Sequence, residues 1–158
     1  MTSAPPTRSV LLVLPFATES LNVRDRKHWS ARRRSQDLMR GEVIAALGGT
    51  RDIPRPPFGR ARITVVRSSS GQLDEDNLVS SCKALLDVLC VQSATHPLGL
   101  GLIEDDSPRH IELIVRQGSA PRGRGVTTVQ IDELPGIVAP ASRRKRQVEA
   151  QTTLPAVA

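Results

Sequence analysis

The sequence predicts a two-layer α+β domain in which two main helices pack on a small mixed sheet. Four short segments have the apolar or alternating patterns of β-strands, and two longer segments between them have helical periodicity. A length of 158 residues suits one hydrophobic core. The order strand, helix, strand, helix and two strands is typical of the α+β class.

The predicted strands are residues 9–16, 60–67, 111–116 and 126–131. The first contains the longest apolar run, which ends at Pro15 and is far too short for the ~20 residues that span a bilayer. In the second, Ala61, Ile63 and Val65 alternate with more polar neighbours. A Gly- and Arg-rich turn, residues 117–125, separates the last two strands and predicts a β-hairpin.

The predicted helices are residues 30–47 and 77–91, and residues 17–28 and 92–101 are predicted loops. The first helix ends at a Gly-Gly pair, and its apolar stripe consists of Leu38, Val43, Ile44 and Leu47. On the second helix, the residues predicted to face the core are Leu78, Cys82, Leu85, Leu86 and Leu89.

The organisation predicted for the chain is a flexible leader (residues 1–9), one domain (residues 10–133) and a disordered basic tail (residues 134–158). No segment has the features of a signal peptide or a membrane span, so we expect a cytoplasmic protein. The spacing of Cys82 and Cys90 predicts two buried free thiols on one helix face. The three histidines show no zinc-ligand spacing with these cysteines, which argues against a zinc site.

The charge balance favours a polyanionic partner. The net charge is +6 and the isoelectric point is about 10.6. Arg32, Arg33 and Arg34 begin the first helix, where they form either a phosphate-binding face or an ordinary solvated face.

Acidic residues form two clusters, one before the second helix and one after it. The first contains Asp74, Glu75 and Asp76, and the second contains Asp105 and Asp106 next to Glu104. Each cluster alone has a simple structural interpretation, helix N-capping for the first and a turn for the second. Lys83 lies two helical turns after Asp76 on the same stripe as Asp87, where it is either catalytic or part of a surface ion pair.

Several carboxylates that converge in a basic protein favour a hard divalent cation, because Mg²⁺ binds carboxylate oxygens. Phosphodiester hydrolysis uses such a cation to neutralise the phosphate, and a neighbouring lysine can stabilise charge in the transition state. An EF-hand is excluded, because Val79 occupies the position that requires glycine.

At these residues the chain resembles the RusA family of Holliday-junction resolvases, in its phage or prophage form. The shared signature is Asp74-Glu75-Asp76-Asn77 before a helix, Lys83 and Asp87 on it, and Asp105-Asp106 after it. The resemblance covers approximately residues 10–131. The spacing from Asn77 to Lys83 is about one helical turn longer than in the founding member of the family.

The resemblance implies that Asp74, Asp76, Lys83 and Asp106 are catalytic. It implies that Mg²⁺, or Mn²⁺ in its place, binds to Asp74, Asp76 and Asp106, with Asp105 as a further candidate ligand. The residues expected near DNA are Asn22, Arg26, Lys27, His28, Arg32, Arg33, Arg34 and Asn77.

The implied function is Mg²⁺-dependent cleavage of four-way DNA junctions in recombination and repair. A junction needs two symmetric cuts, so a homodimer is expected. Two alternatives remain: a nuclease acting on flaps, forks or RNA, and a DNA-binding protein that no longer cleaves. The scarcity of aromatic residues, 2% of the chain, limits recognition by base stacking.

Overall fold

The computed structural model describes residues 8–136. In chain order the elements are β1 (Ser9–Leu14), α1 (Leu21–Asp25), α2 (Trp29–Leu47), a 3₁₀ turn (Thr50–Asp52), β2 (Ala61–Ser69), α3 (Glu75–Ser81), α4 (Lys83–Leu89), β3 (Ile111–Ser119) and β4 (Val126–Glu133). The fold is the expected two-layer α+β arrangement of helices on a mixed sheet.

The four strands form one sheet in the order β1-β4-β2-β3. β4 pairs antiparallel with both β1 and β2, whereas β2 and β3 are parallel. The hairpin predicted for the last two strands is therefore wrong, because β2 lies between them. The parallel pair is joined by α3, α4 and the acidic segment, which cross over the sheet from the end of β2 to the start of β3.

The core forms between the sheet and the helices. Ala61, Ile63 and Val65 are buried as their alternation predicts, and so are all five residues predicted to face the core from the second helix. On α2, Val43 is buried but Leu38 is 67% exposed, so the prediction for Leu38 is wrong. Cys82 and Cys90 are both buried free thiols, as predicted.

Two helix predictions need correction. Residues 17–28 are not only a loop, because they contain the five-residue helix α1. The single helix predicted for residues 77–91 is two helices, which begin at Glu75 and end at Leu89. Cys82 ends α3 and precedes α4, and its own backbone remains helical.

The predicted leader and tail fall mostly outside the described residues, which exclude 1–7 and 137–158. Ser9 already belongs to β1, and Arg8 binds Glu133 through two hydrogen bonds of 2.9 and 2.8 Å. None of the helices within residues 8–136 is both long enough and apolar enough to cross a membrane.

Candidate active site

The loop after α4 is held against the end of that helix. The amide nitrogens of Leu102 and Ile103 donate to the carbonyl of Leu89, and Leu100 N donates to the carbonyl of Val88. Helices leave their last carbonyls without partners, so the returning loop satisfies them. Gly101 N also donates to the carbonyl of Cys90. The chain therefore leaves the helix at Cys90 and comes back to it before the acidic cluster.

Gly99 permits the closest approach within this loop. A Cβ atom at this position would lie 2.3 Å from the carbonyl oxygen of Cys90 and 2.8 Å from the amide nitrogen of Gln92. Both neighbours are backbone atoms, which cannot swing aside as a flexible side chain would. Only glycine fits this approach without moving the backbone.

The loop brings the acidic cluster to Lys83. Its Nζ atom lies 2.5 Å from Asp106 Oδ2 and 2.9 Å from Asp87 Oδ1. Burial lowers the pKa of Lys83, but its hydrogen bonds and charge interactions with Asp106 and Asp87 outweigh this effect and raise the pKa above its ordinary value. Lys83 is therefore a fixed positive charge between two carboxylates. The sequence had left open a simple ion pair with Asp87, and that ion pair is present.

Asp105 and Asp106 have different environments. Burial raises the pKa of Asp105, but hydrogen bonds from the Ser107 hydroxyl and from the backbone N–H groups of Asp106 and Ser107 outweigh it and lower the pKa. Asp105 thus stabilises the turn, which is the role that the sequence analysis offered as the simple explanation of the second acidic cluster. Asp106 instead reaches Lys83, which is 23 residues earlier in the chain.

Sequence reasoning missed His96. Its imidazole lies in the loop with Nδ1 3.2 Å from Asp87 Oδ1, and with Nε2 3.7 Å from Asp105 Oδ1 and 3.9 Å from Asp106 Oδ1. The thiol of Cys90 completes a group of four potential metal ligands whose atoms all lie within 4.8 Å of one another. The argument from spacing separated the histidines from the cysteines, and the folded loop brings His96 and Cys90 together. Their separation of six residues across a turn was the only signal in the sequence.

Asp74 and Asp76 lie at the start of α3 and are both exposed. Asp74 occupies the N-cap position, but its side chain makes no capping bond and accepts a hydrogen bond from Asn77 Nδ2 instead. Among the described residues, no hydrogen bond or ion pair involves the Asp76 side chain. Capping therefore does not account for these two carboxylates.

Two of the four predicted catalytic residues, Lys83 and Asp106, are in direct contact. In the part of the chain that the structure describes, the one group of three or more potential metal ligands contains Asp105 and Asp106 but neither Asp74 nor Asp76. Lys83 lies seven residues after Asp76, roughly 10 Å along a helix axis. Gln117 fixes the segment before Asp74 by two hydrogen bonds with the backbone of Leu73, of 3.0 and 2.7 Å.

The predicted DNA-binding residues lie mainly around α1 and the start of α2. Asn22, Arg26, Arg32, Arg33 and Arg34 are exposed, and His28 is the N-cap of α2. Lys27 forms an ion pair of 2.6 Å with Glu19, and Asn77 lies on α3, where it donates a hydrogen bond to Asp74.

A groove of about 260 Å³ separates these residues from the His96 loop. It is lined by Arg24, Trp29, Arg32, Arg33, Gln36, Pro97 and Leu98. Because Pro97 and Leu98 directly follow His96, the groove connects the arginines of α2 with the neighbourhood of the acidic cluster. A larger, more apolar cavity of about 350 Å³ lies beside Phe16 and Met39 and includes none of the acidic cluster.

No protein-family model matches the chain, and no curated protein matches it. The resemblance to the RusA family therefore rests on the motif residues themselves.

Proposed function

We propose that this chain is a Mg²⁺-dependent endonuclease that cuts branched DNA, with four-way junctions as its main substrate. The observation that carries the proposal is the contact between Lys83 and Asp106. It joins the helix lysine to the second acidic cluster across 23 residues of chain, and the arginine-lined groove includes Pro97 and Leu98 of the loop that leads to this cluster.

Asp74 and Asp76 would bind the metal. Their carboxylates are the hard oxygen donors that Mg²⁺ prefers, and Asp76 has no cationic partner among residues 8–136. A bound Mg²⁺ would supply positive charge to the scissile phosphate. Asp106 would hold the Lys83 ammonium group beside the same phosphate, with Asp105 holding the turn on which Asp106 lies.

Lys83 would act on the charge that develops during hydrolysis. Asp87 and Asp106 hold its ammonium group in place, so little reorganisation is needed when the phosphate becomes more negative. Because the Lys83 side chain is half exposed, a DNA phosphate can reach it from solvent.

The arginines of α2 would bind the DNA backbone. Arg32 and Arg33 line the groove and Arg34 is exposed beside them, an arrangement that suits several phosphates of one strand. Affinity should then decrease steeply with salt concentration, because each phosphate contact releases counterions. A two-fold symmetric junction also calls for a dimer with one site in each subunit.

The test is cleavage of a labelled four-way junction by the purified chain, beside duplex, flap, fork and RNA substrates. We expect junction nicking with Mg²⁺ or Mn²⁺ and none with EDTA. Asp74→Asn, Asp76→Asn and Asp106→Asn should each abolish nicking and retain junction binding measured in Ca²⁺. Glu75→Gln is the matched control, because it removes an exposed carboxylate between the two aspartates. Undiminished cleavage in EDTA, or by the three aspartate variants, would refute the proposal.

One observation favours a second candidate, a junction-binding protein that does not cleave. Asp74 and Asp76 stand apart from the cluster around Asp106, and Lys83 is already neutralised by two carboxylates. This candidate predicts salt-sensitive junction binding without nicks in any divalent cation. The cleavage assay therefore separates the two candidates directly.

A further inference from the structure

Four side chains of different chemistry meet at the C-terminal end of α4. Cys90 contributes a thiol, His96 an imidazole, and Asp105 and Asp106 one carboxylate oxygen each, all within 4.8 Å of one another. Cys90 is fully buried, and the side chain of His96 is 11% exposed. A mixed set of sulfur, nitrogen and oxygen atoms differs from a purely acidic surface cluster, because it matches the donors that zinc binds.

The distances suit a small ion. Ligand atoms at about 2.0–2.3 Å from a tetrahedral ion lie roughly 3.3–3.8 Å from one another. His96 Nε2 is 3.7 Å from the Asp105 oxygen and 3.9 Å from the Asp106 oxygen. The two His96 distances are thus within a few tenths of an ångström of those in a tetrahedral site, and all four ligand atoms lie within 4.8 Å of one another.

The imidazole of His96 has an unmet hydrogen-bonding requirement. Its Nδ1 atom is buried and makes no hydrogen bond, although Asp87 Oδ1 lies only 3.2 Å away. The two atoms are close but misaligned, and a hydrogen bond requires alignment as well as proximity. A small rotation of the ring would let Nδ1 donate to Asp87. Carboxylates commonly orient a metal-binding histidine in this way, leaving Nε2 free for the ion.

The local charge also favours a cation. Asp87, Asp105 and Asp106 surround the His96 ring, and Lys83 forms ion pairs with Asp87 and Asp106. Lys83 binds Asp106 through Oδ2, so Oδ1 is left facing His96. Asp87 and Asp106 share the ammonium group of Lys83, and a divalent ion beside Asp105 and Asp106 would add positive charge to this cluster.

We propose that Cys90, His96, Asp105 and Asp106 form a binding site for a transition-metal ion of the zinc class, distinct from the Mg²⁺ site proposed at Asp74 and Asp76. Thiolate and imidazole are ligands of Zn²⁺ and Co²⁺, whereas Mg²⁺ prefers oxygen. The site joins the end of α4 to the loop, so a bound ion would fix the loop and the turn that carries Asp106. It does not require that the chain cleaves DNA.

The test uses Co²⁺ as a spectroscopic probe on chelator-stripped, DNA-free protein. We expect one equivalent to bind and to give a thiolate-to-cobalt charge-transfer band, which Zn²⁺ abolishes and excess Mg²⁺ leaves unchanged. Cys90→Ser should lose the band, and His96→Asn should weaken binding at least tenfold. Cys82→Ala is the matched control, because it removes a buried thiol outside the cluster and should retain the band. Circular dichroism establishes that each variant is folded, and His96→Asn, in an irregular loop, provides a test if Cys90→Ser unfolds.

Absence of a charge-transfer band in the folded wild-type chain would overturn the proposal, as would a band that survives in folded Cys90→Ser or binding that is unchanged in His96→Asn. Asp74→Asn and Asp76→Asn should bind Co²⁺ as tightly as wild type, and loss of binding there would show that the two sites are not distinct. Because no DNA is present, a failure of nuclease activity and a failure of metal binding give separate results.

Discussion

Replacing Lys83 by alanine separates a catalytic role from an ion pair most sharply. The side chain is half exposed and pairs with Asp87 and Asp106 at 2.9 and 2.5 Å. Exposed ion pairs contribute roughly 0.2–1 kcal/mol each, but the Asp87 and Asp106 side chains are mostly buried, so the loss of their partner should reduce the free energy of unfolding by about 1–3 kcal/mol. If Lys83 stabilises the transition state, the barrier should rise by about 3 kcal/mol, which corresponds to roughly a hundredfold in rate.

The assay is single-turnover cleavage of a labelled junction at saturating Lys83→Ala protein, with junction affinity measured separately in Ca²⁺ and unfolding followed in urea. Arg62→Ala is the matched control, because it removes from β2 a cation as exposed as Lys83 that also forms an ion pair, with Glu112. The control should cleave at the wild-type rate. A Lys83→Ala rate within a few-fold of wild type would refute the catalytic role and leave Lys83 as a partner of Asp87 and Asp106.

Three further predictions concern the fold around this site. Gly99→Ala should lower the free energy of unfolding by about 1–3 kcal/mol in urea titrations, because its Cβ would collide with backbone atoms. Gly71→Ala is the control, because open space surrounds Gly71, and it should leave the free energy of unfolding unchanged. Equal effects of the two substitutions would contradict the close approach at Gly99. Burial, together with the charges of Asp106, Asp105 and Asp87, raises the pKa of Cys90 to about 12. An unfolded cysteine has a pKa of about 8.5, so the stabilisation from this thiol is fully present below about pH 8.5 in metal-free protein. Above that pH the free energy of unfolding should fall by up to about 1.4 kcal/mol per pH unit. Cys90→Ala should flatten that alkaline loss, and an unchanged slope would assign it to other groups. Arg67 is buried and donates to the carbonyls of Thr18 and Gly71, so Arg67→Ala should cost on the order of 2–4 kcal/mol in urea unfolding, and a cost below 1 kcal/mol would show that water replaces these bonds.

Local patterns in the sequence predicted most of the elements. The alternation in β2 and the apolar positions of the second helix fixed which side chains are buried, because burial on a strand or helix repeats with the period of the element. The break at Cys82 was not predictable in this way, since the apolar pattern continues through it. Helix α1 was missed because it has only five residues and none of them is buried.

Strand pairing depends on more distant contacts. Residues 117–125 have the composition of a hairpin turn, yet β4 pairs with β1 and β2 rather than with β3. Because β4 lies inside the sheet, it has two hydrogen-bonded neighbours, β1 and β2. This position also buries its apolar residues Val129 and Ile131. Composition at a turn carries no information about those neighbours.

For the candidate site, the sequence by itself determined the kinds of chemical group that are present: two acidic clusters, one lysine on the intervening helix and a basic first helix. Only the tertiary structure decided which of these groups meet. The loop that closes on the end of α4 brings Asp106 to Lys83, places His96 and Cys90 beside them, and leaves Asp74 and Asp76 at the far end of α3. The physical reason is that this loop is positioned by backbone hydrogen bonds to Val88, Leu89 and Cys90 and by the absence of a side chain at Gly99. Such constraints act between backbone atoms far apart in the chain, so they leave no periodic pattern in the side chains.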